Sequence, residues 1–358
     1  MRLLAMPYCF FKLINWRECT VGKWQVLKDL CFIFFKYRYF PDNYGPCRLY
    51  EKPREAWPYY YGSSYNAYPR HRLRREVQPF EYRILFYDKY VTYQLCKSMD
   101  IMTPVCYGTI HQHMDYRKAI RDIFHQKNPG KLIFKPLRGH GGIGIFVVWN
   151  EDNTIFANQN DEVIPLADLR LKDSYIIQEV IRQNRMIDAI SPASLNTVRV
   201  VTMYTKNDDA MVVSSSMRFS TGNSVVDNWS SGGVAVGVDH RMGALKEIAY
   251  DKLGNKYMQH PLTNIRFSGI QVPFWKEIIE CALKVQREFP YYKLLGTDIA
   301  VMDDGPVLIE INADADLVFQ EQTSGPLLED DEVLRVFYEY DLLINKYQKA
   351  LLKKHDIT

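Results

Sequence analysis

The chain has 358 residues, a formal net charge of +3, 47% hydrophobic residues and 24% charged residues. This composition excludes a low-complexity or fibrous chain, and the length predicts two or three subdomains rather than one core. No segment approaches the ~20 apolar residues of a membrane span. The apolar N-terminal patch lacks a signal-peptide cleavage site. The seven cysteines form no CxxC, and this pattern favours free thiols in a reducing cytoplasm.

The charge is distributed unevenly along the chain. Residues 1–75 contain 14 Lys and Arg against 5 Asp and Glu, whereas the remainder is net acidic. A basic segment rich in aromatic residues suggests an anionic neighbour, either a membrane surface or a phosphorylated ligand. The alternative is a basic face that packs against the acidic remainder. Residues 24–40 are apolar on nearly every helical face, so we expect them to be buried or interfacial.

In the first third of the chain the sequence predicts helices and little other regular structure. Residues 41–80 are broken by Pro, Gly and Asn, which predicts loops around short helices. A helix is predicted over residues 88–99, ahead of the Thr103-Pro104 turn.

The β-rich run Lys131–Pro136 then predicts a strand, followed by a glycine-rich turn over residues 138–144 and a returning strand over 145–149.

The C-terminal half alternates strands with amphipathic helices. Strand-like runs share β-branched or apolar content and cover residues 175–181, 197–205, 210–220, 233–239, 294–302 and 306–311. Helices are predicted over residues 272–289 and 331–353. The turns at 206–209 and 303–305 predict two antiparallel hairpins.

Two acids and an amide stand out in the second hairpin. Asp298 and Glu310 lie in otherwise apolar runs, where an unpaired charge is costly, and each is six residues from the turn centre. They should therefore lie roughly opposite one another, while Glu310 and Asn312 leave the same face of one strand. Converging carboxylate and amide oxygens favour Mg²⁺. The alternative is that Glu310 pairs with a nearby lysine or arginine.

A lysine precedes the glycine-rich turn. Lys135 lies late in its strand, and Gly139, Gly141, Gly142 and Gly144 follow it. Glycines let backbone N–H groups approach an anion closely, so a lysine beside them favours phosphate binding. No Gly-Lys-Ser/Thr follows, so this is not a Walker loop.

The order of these features resembles one family of proteins. The stretches that carry the resemblance are Tyr87-Asp-Lys89, Phe134 to Gly144, Ser194 to Thr202, Val226-Asp-Asn228 with Gly232-Gly233, and Gly296 to Asn312. They are similar to the sugar-transfer-associated ATP-grasp family of cell-surface polysaccharide biosynthesis, over about residues 85–325. The implied fold is α+β, an ATP-grasp fold with an N-terminal helical and α/β part (1–110), a small lid subdomain (111–181) and a larger C-terminal α+β subdomain (182–358).

The resemblance also implies a nucleotide site. Lys89 and Lys135 match the lysines that contact the ATP phosphates and the adenine edge. The glycines at 139, 141, 142 and 144 match the flap over the triphosphate. The hinge whose backbone reads adenine matches Gln178, Glu179, Val180 and Ile181. The acidic ribose contact has no clean match, and Asp188 is the nearest acid to consider.

The reaction implied is ATP- and Mg²⁺-dependent joining of a carboxylate to an amine through an acyl phosphate. Asp298, Glu310 and Asn312 match the magnesium ligands, and Arg199 and Arg218 would face the γ-phosphate or the activated carboxylate. Substrate contacts match Asn228, Gly232 and Gly233. Each has a structural alternative: Arg199 could form a structural ion pair, Lys89 could be solvated, and Asn228 could form a turn.

We expect one substrate to be an amino acid and the other a sugar or glycan precursor, with no nucleic acid involved. The protein should be cytoplasmic, with peripheral membrane contact through residues 1–75 as an option. One alternative is an ATP-grasp kinase or peptide ligase acting on a small metabolite. Another is a non-catalytic factor docked at a membrane. An intact set of three oxygen ligands disfavours the last of these.

Overall fold

A computed structural model describes residues 2–62, 72–139, 141–159, 162–192, 194–222 and 232–357, without the side chains of residues 2–5 and 74. The described helices are α1 (Arg2–Lys12), α2 (Lys23–Phe32), α3 (Ile84–Tyr87), α4 (Lys89–Ser98), α5 (Tyr116–Lys127), α6 (Arg185–Ile190), α7 (Trp275–Glu288), α8 (Leu317–Ser324), α9 (Asp331–Glu339) and α10 (Lys346–Lys354). None of them is long and apolar enough to cross a bilayer.

A six-stranded antiparallel sheet forms the smaller of two layers. Its strands are β1 (Cys106–Ile110), β2 (Lys131–Pro136), β3 (Phe146–Glu151), β4 (Thr154–Gln159), β5 (Glu162–Pro165) and β6 (Tyr175–Glu179). Their spatial order is β1-β6-β2-β3-β4-β5. Helix α5 packs on this sheet through Ile120 and Phe124, which join a small core of their own. The glycine-rich turn connects β2 to β3, as the sequence predicts.

A seven-stranded antiparallel sheet forms the larger layer. Its strands are β7 (Thr197–Tyr204), β8 (Ala210–Phe219), β9 (Val234–Val238), β10 (Leu245–Tyr250), β11 (Lys256–Tyr257), β12 (Leu294–Met302) and β13 (Gly305–Asn312). The order β11-β10-β9-β8-β7-β12-β13 places the two predicted hairpins side by side. Both predicted hairpins, β7–β8 and β12–β13, are confirmed.

The two faces of the larger sheet are buried against different helices. Val198 and Val200 of β7 join a core that includes α7, whereas Val201 and Met203 join a second core on the other face. Period-two alternation along the strand places these residues on opposite faces. A strand covered on both sides reads as a continuous apolar run, which is why β7 and β12 are so apolar in the sequence.

The second core contains the N-terminal segment. Buried residues of 9–61 pack with residues of α8, α9 and α10, so this basic segment is built onto the acidic C-terminal part. Short 3₁₀ helices at 49–51, 54–59 and 80–82 and a π-helix at 73–77 match the predicted loops around short helices. The division at residues 110 and 181 stays a prediction, and β1 of the smaller sheet begins at Cys106.

The predicted helix over residues 331–353 is wrong as one element. It is two helices, α9 and α10, separated by residues 340–345. Asp341 adopts a left-handed backbone conformation (φ 51°), which ends the first helix. The intervening Leu342, Leu343 and Ile344 are buried, so the turn itself fills the core, and the apolar pattern continues through the break.

Candidate active site

The acidic hairpin has the predicted register. Asp298 of β12 lies directly opposite Glu310 of β13, and Gly296 lies opposite Asn312. Asn312 Nδ2 donates a hydrogen bond to Asp298 Oδ2 over 3.3 Å. The two acids and the amide therefore meet at one place on the sheet. A β-bulge between Asp298 and Ile299 shifts the register by one residue and brings Asp298 opposite Glu310. Their role as metal ligands stays a prediction.

Two arginines contact the Asp298 carboxylate. Arg199 lies on β7 beside Asp298 and donates to both of its oxygens, with Nη2 2.9 Å from Oδ2. Arg218 of β8 places Nη2 3.0 Å from the same Oδ2. Burial by itself would raise the pKa of Asp298, but the two guanidinium charges outweigh it and hold the pKa at about 2. The carboxylate is therefore ionised at any working pH.

These residues fit a magnesium ion in the kind of ligand they supply. The atoms are hard oxygens, and Mg²⁺ takes one or two carboxylates and completes its shell with phosphate and water. Asp298 already accepts from two arginines and an amide, so a cation would share it with them. Glu310 is one-third exposed and has a longer contact, 3.8 Å to Lys89 Nζ. Within the described residues, no group of three or more His, Cys, Asp or Glu could hold a metal, so Asn312 would have to complete the set.

Lys135 is the buried cation of the site. It lies in β2 with 8% of its surface exposed. Burial lowers its pKa to about 8, opposed by the charge of Glu310 and assisted by that of Lys89. A buried ammonium beside a glycine-rich loop is stabilised by an anion bound next to it. This is the environment expected of a phosphate-binding lysine.

Lys89 joins the glycine-rich loop to the acidic hairpin. It is the first residue of α4, whose N-terminus is capped by the Asp88 side chain accepting from the backbone of Tyr90 and Val91. Its Nζ donates to the Gly139 carbonyl over 2.9 Å and also approaches Glu310. Lys89 is therefore not a solvated helix lysine, which was the structural alternative.

The described part of the glycine-rich loop has a backbone that only glycine adopts readily. The φ angles are 136° at Gly139 and between 73° and 78° at Gly141, Gly142 and Gly144. L-residues with a Cβ are strained there. The glycines are thus required by the turn itself, whether or not a nucleotide binds beneath it.

The proposed adenine hinge leads from the smaller sheet toward the larger one. Gln178 and Glu179 belong to β6, and the backbone N–H of Glu179 donates to Val105 O. The Glu179 carboxylate accepts from the Val105 N–H over 2.7 Å, and its place in the adenine hinge stays a prediction. Val180 and Ile181 lie beyond the strand. Their backbone groups are the better candidates for reading a base.

A small cleft, open to solvent, lies between these elements. It is lined by residues of α3, α4, the turn before β1, β6 and β13, including Phe86, Lys89, Tyr93, Gln178, Leu308 and Glu310. Apolar walls with a few charged groups at one end suit a base attached to phosphates. The predicted lysine, hinge and acid thus share one cavity.

The predicted substrate contacts are only partly described. Asn228 lies outside the described residues. Gly232 and Gly233 immediately precede β9, and Gly232 has a φ of 107°. Asp188 accepts from Gln183 Nε2 over 2.9 Å within the turn around α6, so its carboxylate has a structural partner.

Two polar groupings near the site were missed from the sequence. Arg218 Nη2 donates to Thr197 Oγ1 over 2.5 Å, which aligns the guanidinium beside Asp298. Arg83, on the turn before α3, pairs with Asp314, and Tyr87 Oη donates to the same carboxylate over 2.7 Å. Asp314 continues the period-two series of Glu310 and Asn312, and that spacing could have pointed to it.

The two antiparallel sheets, with the glycine-rich loop and the acidic hairpin brought together by Lys89, form an ATP-grasp fold. The model of the family described as sugar-transfer associated ATP-grasp matches residues 68–331. The chain belongs to this family.

Solved structures with similar folds include several ATP-grasp enzymes. The VanG D-Ala:D-Ser ligase of Enterococcus faecalis is 15% identical, with 73% of this chain and 61% of that chain covered and a TM-score of 0.41. The D-alanine-D-alanine ligase of Helicobacter pylori is 13% identical, with 72% and 60% covered and a TM-score of 0.42.

A third structure is the N5-carboxyaminoimidazole ribonucleotide synthetase of Thermotoga maritima, at 12% identity, with 64% and 42% covered and a TM-score of 0.34. The chain thus spans less than two thirds of the length of these three proteins. Similarities this low do not identify a substrate. Comparison with curated proteins gives no match.

Proposed function

We propose that the protein is an ATP- and Mg²⁺-dependent ligase that joins a carboxylate to an amine, forming an amide in cell-surface polysaccharide biosynthesis. One substrate is an amino acid and the other a sugar or glycan precursor. The reaction runs in the cytoplasm, where ATP is supplied. All seven cysteines are free thiols, in keeping with a reducing compartment.

One observation carries the proposal, the convergence of charged side chains from six elements. Arg199 (β7) and Arg218 (β8) contact Asp298 (β12), which lies opposite Glu310 (β13). Lys89 (α4) approaches Glu310. Lys135 (β2) lies near both of these residues, and the charge of each shifts the pKa of Lys135. Four cationic groups around two carboxylates leave an excess of positive charge, which a triphosphate would neutralise.

Such a site performs phosphoryl transfer with little proton transfer from the protein. The γ-phosphoryl group passes to the substrate carboxylate, giving an acyl phosphate and ADP. The amine then attacks the carbonyl carbon, the C–O bond to phosphate breaks, and the amine proton leaves with solvent. Arg199, Arg218 and Lys135 neutralise charge on the transferred group, and the glycine-rich loop excludes water. A bound Mg²⁺ would be held by Asp298, Glu310 and Asn312 and would supply additional charge neutralisation.

Hydroxylamine trapping tests the proposal. The protein is incubated with ATP, Mg²⁺, hydroxylamine and a panel of amino acids and uronic acids, and hydroxamate and ADP are measured. We expect one carboxylate to give hydroxamate and ADP in equal amounts, and the Glu310→Gln variant to give neither. Stoichiometric ADP with a stable phosphorylated product and no hydroxamate would instead establish a kinase, and the ligase proposal would be wrong.

A further inference from the structure

Residues 23–37 form a helix with two apolar faces. Helix α2 continues without interruption into a π-helical turn over residues 33–37. Val26, Leu30 and Ile33 are fully buried in the core shared with α8, α9 and α10. On the opposite side Trp24 is 68% exposed and Phe35 is 73% exposed, with Leu27 between them also exposed. The helix therefore anchors itself through one face and presents the other to its surroundings.

Lysines flank the exposed stripe. Lys23, Lys28 and Lys36 are all exposed, and Lys28 Nζ lies 5.7 Å from the centroid of the Trp24 ring. We call these three lysines together with Trp24, Leu27 and Phe35 the basic apolar face. Aromatic rings beside exposed lysines are typical of helices that lie in the interface of a bilayer.

The helix has no exposed negative charge. Asp29 is the only acid among residues 23–37. It is buried and accepts from Tyr44 Oη over 2.9 Å and Arg54 Nη2 over 2.7 Å. The exposed side of the helix is therefore purely cationic. Its complement is an extended anionic surface.

We propose that the basic apolar face binds the surface of an anionic phospholipid bilayer, with Trp24 and Phe35 inserted among the headgroups and the lysines on lipid phosphates and carboxylates. Isolated exposed apolar residues are normal in soluble proteins, but an aromatic stripe opposite a helix's own core face marks an interaction site. None of the residues of this face belongs to the candidate active site. The test of this proposal therefore does not depend on the proposed function.

Vesicle co-sedimentation of the whole protein tests the assignment. One set of vesicles contains phosphatidylcholine alone, and the other contains phosphatidylcholine mixed with phosphatidylglycerol. We expect binding to the acidic vesicles only, and its loss in about 1 M salt, where the Debye length is about 3 Å. Each lysine near an acidic surface strengthens binding about fivefold, so the triple variant Lys23→Gln/Lys28→Gln/Lys36→Gln should bind roughly a hundredfold more weakly.

Matched variants separate this face from charge in general. Three exposed lysines lie elsewhere in the molecule: Lys127 at the end of α5, Lys172 between β5 and β6, and Lys276 on α7. Changing these three to Gln removes the same charge and should leave vesicle binding within about threefold of wild type. The double variant Trp24→Ser/Phe35→Ser tests the aromatic contribution and should lose binding even at low salt. Circular dichroism establishes that each variant is folded.

Three results would overturn the proposal. The first is no binding of the folded wild type to acidic vesicles at low salt. The second is equal loss in the control and basic-face triple variants. The third is a concentration-dependent dimer in sedimentation velocity that Trp24→Ser/Phe35→Ser abolishes, because the face would then be covered by a second copy of the chain.

Discussion

Replacing Lys135 with Met should weaken nucleotide binding and stabilise the empty protein at the same time. The two side chains have similar length, so the β2 core should accept the change. Burial lowers the pKa of Lys135 from its usual 10.5 to about 8, which corresponds to roughly 3 kcal/mol for keeping the ammonium charged in the empty site. Methionine removes that cost, so the free energy of unfolding should rise by up to about 3 kcal/mol near neutral pH.

The pH dependence of that gain follows from the direction of the shift. Below about pH 8 the lysine is charged in both the folded and the unfolded chain, and the whole cost is present. Between about 8 and 10.5 the unfolded chain binds more protons, so wild-type stability rises with pH. The advantage of Lys135→Met should therefore be constant below pH 8 and vanish toward pH 10.5. Urea denaturation across this range measures it.

Nucleotide affinity should change in the opposite direction. A charge-assisted contact with phosphate contributes about 1.5–3 kcal/mol, so calorimetry with a non-hydrolysable ATP analogue should give a Kd about 10 to 150 times higher in Lys135→Met. Lys131→Met is the matched control, since Lys131 is exposed on the same strand. An unchanged Kd in Lys135→Met, or a variant less stable than wild type at pH 7, would refute the assignment of Lys135 to phosphate.

Further outcomes follow from the rest of the site. Glu310→Gln should lower ATP turnover at least about 100-fold, because the change removes a negative charge from the acidic hairpin. The melting temperature should stay within a few degrees of wild type. Near wild-type turnover would exclude a role for Glu310 in metal binding. Asp298→Asn should cost about 3–5 kcal/mol of unfolding free energy in urea, because two partly buried arginines lose their buried counter-charge; wild-type stability would mean that the arginines do not depend on it. Backbone amides of residues 141–144 should exchange quickly in the empty protein and slowly with an ATP analogue, and strong protection without nucleotide would contradict a moving flap.

Local signals were sufficient for the acidic hairpin. Asp298 and Glu310 were predicted to lie roughly opposite one another from their distance to the turn, and they do, although a β-bulge between Asp298 and Ile299 that the sequence does not indicate completes the pairing. The helix predicted over residues 88–99 corresponds to α4, whose start the Asp88 side chain caps. The glycines after Lys135 indicated a turn whose backbone favours residues without a Cβ.

Long-range pairing was beyond the reach of these patterns. Strands β7 and β8 were recognised, but only the pairing of β7 with β12 brings Arg199 and Arg218 to Asp298, and no local signal specifies which strands become neighbours. The contact between the Glu179 carboxylate and the Val105 N–H, 74 residues away, was likewise not indicated by any local pattern. The break between α9 and α10 was missed because buried turn residues continue the apolar period.

The N-terminal segment shows the same division between sequence and structure. Its charge and aromatic content are sequence properties, and they raised two alternatives, burial against the acidic part or contact with an anionic surface. In the tertiary structure Val26, Leu30 and Ile33 of one helix lie in the core, whereas Trp24 and Phe35 are exposed, so burial accounts for one face and the proposed anionic contact concerns the other. Which face of a helix with apolar residues on nearly every side is buried depends on where α8, α9 and α10 pack. The sequence determined the chemistry of the residues, and only packing between distant segments decided which of them meet.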